Sequence, residues 1–328
     1  MSIFSYFNFS MIQYDWVLFV LPMPFFIGML LDALAWKQLL PPHLAVRFKS
    51  LFGIQLGAEA VLLAIPGGFA MADPIKLYLL KKIFRIPSYE IVASLIMRHW
   101  MLGITQLIFI FISCLIGYIF AQQMALSIYT LNGTFILAAG MLIIISVALG
   151  LIVKQLMRGT LARNIWKFLY RIHSKSLRRW LKRMVAAFRE ADNHFLELGK
   201  RKPVYLIAAF LLYLVHWMMD VGETLLAVHV IGFHISFVNA LFMEAFLSAV
   251  RLGAFFLPSG AGVKDIGYVA LASSFNIRVV NAQIVAFIVL KRIILIFCIL
   301  VGFVVLLVHG IGPNWKRSAA YKTVMEGK

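Results

Sequence analysis

Apolar residues run along this chain in long blocks separated by short polar stretches. Continuous blocks occupy about 16–36, 99–121, 133–153, 203–231 and 280–308. Each approaches the roughly 20 residues that a helix needs to cross a bilayer. Two further apolar regions, about 50–80 and 238–276, are interrupted by Pro66-Gly67-Gly68 and Pro258-Ser259-Gly260. Each reads as two shorter pieces joined by open backbone. Such backbone is tolerated at membrane depth only where it is buried in protein or lines a polar cavity. The pattern predicts an all-α, polytopic membrane helix bundle.

Charge sets the direction of the spans, because Lys and Arg accumulate on the cytoplasmic side. The segment before the first span holds Asp15 and no cation, and Lys37, Arg47 and Lys49 follow it. The first span therefore runs inward. Lys76, Lys81, Lys82 and Arg85 place the end of region 50–80 near the inside as well. The uncharged 122–133 loop is expected outside, and the tail with Lys316, Arg317, Lys322 and Lys328 inside. Both halves then read span, broken hairpin, span, with opposite direction, which is an inverted-topology repeat. Pro66 to Asp73 aligns with Pro258 to Asp265 at a constant offset, and in each an acid follows the Pro by seven residues. The expected organisation is a first membrane repeat over 1–131, a connector over 132–202, a second repeat over 203–310 and a basic tail over 311–328.

Composition excludes the soluble classes. Of 328 residues, 62% are hydrophobic and 13% charged, against about 45–50% and 25% in soluble domains. The net charge of +18 is local: Lys154 to Lys202 holds 14 Lys/Arg against Glu190, Asp192 and Glu197. Apolar residues recur there at helical spacing, as in Leu161, Ile165, Phe168, Leu169 and Ile172. That suits amphipathic helices on the cytoplasmic interface, held by anionic lipid head groups. No nucleic-acid-binding motif accompanies the charge, so no nucleic-acid partner is expected. Cys114 and Cys298 lie in apolar runs and read as small core residues. The absence of Lys or Arg before Lys37 leaves no basic region for a cleaved signal peptide.

Ionisable residues at membrane depth are functional candidates by default. The first set is Glu59, Asp73, Lys76 and Arg98; the second is Glu244, Arg251, Lys264, Asp265, Lys291 and Arg292. His216, Asp220 and Glu223 fall on one face of the 203–231 helix, which must look into protein or a polar cavity. Asp73-Pro74 reads as an N-cap followed by Pro at the first helical position. A half-helix start there would present free N–H groups to an anion such as a lipid phosphate. Lys76, Arg98, Lys264, Lys291 and Arg292 suit a phosphate, and Glu59, Asp73, Asp220, Glu223, Glu244 and Asp265 suit a cationic head group or protons. The glycines and prolines of the two breaks, Pro66, Gly67, Gly68, Pro258, Gly260 and Gly262, complete the candidate substrate-binding set. No metal-ligand spacing and no cofactor motif stands out, so neither is expected.

At these residues the sequence resembles the flippase-like membrane family related to the membrane half of lysylphosphatidylglycerol synthetases. Pro258-Ser259-Gly260-Ala261-Gly262-Val263-Lys264-Asp265 matches the family's Pro-x-Gly-x-Gly-Val-[basic]-[acid] pattern, and Pro66 to Leu80 matches its first-half pattern loosely. Lys291-Arg292 near the last span is also similar to the family. The chain has Asp73 and Asp265 where the family pattern has Glu, and Pro74 is an addition. The resemblance covers about 15–310, and the soluble synthetase half is not expected. It implies lipid translocation or lipid handling, with relatives associated with hopanoid or polyprenyl-linked sugar pathways.

The expected function is translocation of a phospholipid or other amphiphile across a plasma (inner) membrane, with the N-terminus outside and the C-terminus cytoplasmic. The alternatives are an accessory subunit of a lipid or lipid-linked sugar biosynthesis complex and, further off, an enzyme acting on lipid phosphate. The enzyme lacks support, because Ala261 stands where a lipid phosphatase of the Pro-Ser-Gly-His type has its His. A second copy of the chain or a lipid-biosynthesis protein are the partners left open.

Overall fold

The computed structural model of the chain describes residues 20–41, 43–123, 203–253, 262–274 and 281–310. The described residues form eight helices and no strand: α1 Met23–Leu39, α2 Phe48–Ala64, α3 Phe69–Phe84, α4 Ser88–Gln123, α5 Pro203–Ile231, α6 Phe237–Gly253, α7 Val263–Ser274 and α8 Asn281–Gly310. The expected 133–153 span, the basic 154–202 stretch, Pro258, Gly260 and the tail lie outside the described residues.

Among the described residues, three helices are long and apolar enough to cross a membrane: Ser88–Gly117 in α4, Val204–Ile231 in α5 and Ala282–Val308 in α8. On α8, Ile293, Leu300, Val304 and Leu307 point outward, while Leu290, Ile294 and Cys298 are buried. This is the arrangement of a helix with one face to lipid and one to protein. By contrast α2, α3 and α6 hold 17, 16 and 17 residues. At 1.5 Å per residue each reaches about 25 Å, short of a bilayer core of about 30 Å. Both cysteines are buried and unpaired.

The chain turns between α2 and α3 at Ile65 to Gly68. Gly67 takes φ +68°, a region that disfavours side chains, and a Cβ on Gly68 would lie 2.6 Å from the Val61 and Leu62 carbonyl oxygens. The glycines therefore start α3 at once, and this corrects the sequence expectation for Asp73-Pro74. Asp73 is not an N-cap: it lies five residues inside α3 with Pro74 next to it, and α3 has no side-chain cap. Asp265 is different. At the third position of α7 its carboxylate accepts a bond from the Gly262 N–H at 3.1 Å, the reach-back half of a capping box.

Helix pairing is reciprocal. The most extensive contacts join α1 to α5, α2 to α8 and α4 to α6. Small residues permit the last two. A Cβ on Gly302 of α8 would stand 2.6 Å from the Ala60 Cβ and 2.8 Å from the Leu56 carbonyl oxygen of α2, and one on Gly57 would stand 2.9 Å from Leu306. Gly117 of α4 similarly faces the Phe242 ring of α6. Close backbone approach is how spans associate where no hydrophobic force separates helix from lipid. Gly302→Leu is expected to destabilise the fold by about 1–3 kcal/mol, because a backbone carbonyl cannot move aside as a side chain can. Gly103→Ala, whose Cβ would meet nothing within 4 Å, should leave stability unchanged or raise it. Thermal unfolding of both variants in detergent checks this.

Candidate functional site

Two ion-paired constellations sit inside the bundle. In the first, Arg98 of α4 grips Asp32 of α1 with two guanidinium nitrogens, Nε at 2.9 Å from Oδ1 and Nη2 on Oδ2. The Gln55 amide of α2 donates to the same carboxylate at 2.7 Å. Asp32, Arg98 and Gln55 are all buried. Lys76 of α3 is buried too, 3.6 Å from Asp73, and both its ammonium and the Arg98 guanidinium lie 5.9 Å from the Trp36 ring. The Trp36 indole N–H is fixed in turn by Ser94, at 3.3 Å. His99 of α4 completes this set, 3.3 Å from Asp73.

The second constellation has matching parts. Glu244 of α6 is buried and accepts bonds from the Thr224 hydroxyl of α5 and, at 2.5 Å, the Tyr268 hydroxyl of α7. Lys291 of α8 lies 3.0 Å from Glu223, 3.5 Å from Glu244 and 2.9 Å from the Thr224 hydroxyl. Lys264 of α7 stands 4.0 Å from Glu244. Arg292 of α8 holds both oxygens of Asp265, at 2.6 and 2.7 Å.

Beside the second constellation is a cavity of about 150 Å³. Glu59, His216, Asp220, Glu223, Glu244, Arg251, Lys264, Asp265, Lys291 and Arg292 all line it, together with α1 residues such as Gly28. The His216 Nδ1–H donates to the Gly28 carbonyl at 2.8 Å and ties α5 to α1. Arg251 lies over the Trp217 ring at 5.9 Å. Among the described residues, Glu59 and Asp220 make no hydrogen bond or ion pair. A cavity inside an apolar bundle thus carries both signs of charge, with two carboxylates not yet engaged.

The lysylphosphatidylglycerol synthase TM region matches residues 7–302 of this sequence. The chain belongs to that family. No curated protein and no solved structure matches it. Membership in the lysylphosphatidylglycerol synthase TM family makes the chain an integral membrane protein of a family associated with lipid-related function.

For this member of the family, the structure divides the sequence-selected residues in three. Glu59, Asp220, Glu223, Glu244, Lys264, Asp265, Lys291 and Arg292 converge on the cavity, with Glu59 reaching it from the first half of the chain. Asp73, Lys76 and Arg98 do not line it and belong to the first cluster. Pro66, Gly67 and Gly68 shape the α2–α3 turn, and Gly262, at φ +81°, precedes α7. Lys76, read as a cation near the inner interface, is fully buried. Sequence reading missed Asp32. An acid inside the 16–36 block is as costly at membrane depth as Glu59, and that cost was the available signal.

Breaking the first ion pair has a defined cost. Arg98→Leu leaves Asp32 buried without its counter-charge and should destabilise the protein by about 3–5 kcal/mol. The double variant Asp32→Leu/Arg98→Leu should recover most of that loss. Unfolding of both in detergent measures the difference.

Proposed function

We propose that the chain is a flippase-like transporter that moves an amphiphilic lipid between the leaflets of the membrane it spans. The observation that carries this reading is a cavity within an apolar bundle that is lined by both acids and bases. A lipid head group with phosphate or amine crosses hydrocarbon only at high cost, and fixed charges along the way lower that cost. Arg251, Lys264 and Arg292 suit an anionic group, and Glu59 and Asp220 suit a cationic one. At about 150 Å³ the cavity holds several times the roughly 30 Å³ share of one water. That is room for a compact head group with its acyl chains left in the membrane. The twin constellations and reciprocal helix pairing support an inverted repeat, which offers two related states opening to opposite sides.

In this reading the plasma membrane is the site of action, with the N-terminus outside, the C-terminus inside and the 154–202 stretch resting on anionic lipid. No chemical step is assigned to the protein. The purified chain in vesicles containing a fluorescent phospholipid should speed the label's exchange between leaflets, read by dithionite quenching. Asp265→Asn and Lys264→Ala should each slow that exchange about tenfold, equivalent to about 1.4 kcal/mol in the barrier, while still inserting. Mass spectrometry of the vesicle lipids should show no new species. A new species would turn the reading to an enzyme. A folded wild type with no exchange would turn it to an accessory subunit.

A further inference from the structure

His99 stands between two groups that can only accept. Its Nδ1 lies 2.9 Å from the Leu95 carbonyl oxygen and its Nε2 3.3 Å from an Asp73 carboxylate oxygen. A backbone carbonyl has no proton to give, so Nδ1 carries the proton and donates it to Leu95. An imidazole with one proton then turns the Nε2 lone pair toward Asp73. An ionised carboxylate also offers only lone pairs. The contact is attractive only when the pair holds one more proton, on the ring or on the carboxylate.

The matching contact in the other half has no such condition. Asp265 meets Arg292, and a guanidinium keeps its charge at every accessible pH. Asp73 precedes His99 by 26 residues and Asp265 precedes Arg292 by 27, so the two contacts join corresponding helices, α3 to α4 and α7 to α8.

The surroundings of the first pair are mixed in sign. Lys76 of α3 lies 3.6 Å from Asp73, and Arg98 of α4 adjoins His99 in the chain. Behind them stand Glu59 of α2, Asp32 of α1, and Tyr213 and His216 of α5. His99 is about half exposed, at 53%, and Asp73 about a third, and the pair lines a surface groove of about 420 Å³ together with Leu77, Leu95 and Trp100.

We propose that Asp73 and His99 form a proton-binding site that clamps α3 to α4 when loaded and releases it when empty, while Asp265 and Arg292 hold α7 to α8 throughout. The proposal goes beyond lipid translocation and stands whether or not the protein moves lipid.

The test uses the full chain in lipid nanodiscs, labelled with ¹⁵N-histidine and titrated by NMR from about pH 4.5 to 8. His99→Gln assigns the resonance. The wild-type His99 midpoint should exceed that of Asp73→Asn by about one pH unit, a tenfold difference in proton affinity. Amide exchange in α3, corrected for intrinsic rates, should slow about tenfold as the pH falls through that midpoint. In His99→Arg it should stay slow at all pH values, and His99→Lys serves if that variant fails to insert. An unchanged midpoint in Asp73→Asn overturns the site. Wild-type α3 exchange that ignores the midpoint overturns the clamp.

Discussion

A charge buried in an apolar bundle must meet its counter-charge, and most of what is ordered in this protein follows from that requirement. Asp32 can lie in α1 only because Arg98 reaches it from α4 with two nitrogens and Gln55 from α2 adds a third bond. Glu244 can lie in α6 only because Thr224, Tyr268 and Lys291 come to it from α5, α7 and α8. Each constellation therefore draws four helices toward one point: α1, α2 and α4, with α3 through Lys76, and then α5 to α8. Helices otherwise free to slide in lipid acquire one register, because a slip by a residue would strand a charge in hydrocarbon.

The constellations share a pattern, with the helices that carry the inner acid and its neutral partner exchanged between them. The acid sits on α1 in the first and on α6 in the second, with Gln55 and Thr224 as neutral partners. The base comes from α4 or α8, as Arg98 or Lys291. The outer acid, Asp73 or Asp265, meets His99 or Arg292. The reading as two inverted halves draws its support from these correspondences, and the differences suit halves that have taken on separate tasks. The first constellation reaches the surface through Asp73 and His99. The second opens on the cavity, where Glu59 and Asp220 remain without ion-pair partners among the described residues.

Much of the fold was legible because span length and apolar content are local properties. Blocks 203–231 and 280–308 return almost unchanged as α5 and α8. The expected 99–121 block falls short, since α4 begins at Ser88. The apolar run of the sequence is interrupted at Arg98, just before that block. In the fold Asp32 neutralises it, and the helix runs through. Asp73 misled for a related reason. Acid followed by proline is a good start signal, but Gly67 and Gly68 had already turned the chain and begun α3.

By itself the sequence determined that this is an all-helical membrane protein and that one face of α5 looks inward. Composition and period suffice for these, since each concerns a single segment and its solvent. Only the tertiary structure decided which charges meet. It joined Asp32 to Arg98 across 66 positions, set Lys76 against Trp36, and brought Glu59 to the cavity of the second constellation. Pairing depends on distance in space, and in a bundle of helices that distance is fixed by the packing of residues far apart in the chain.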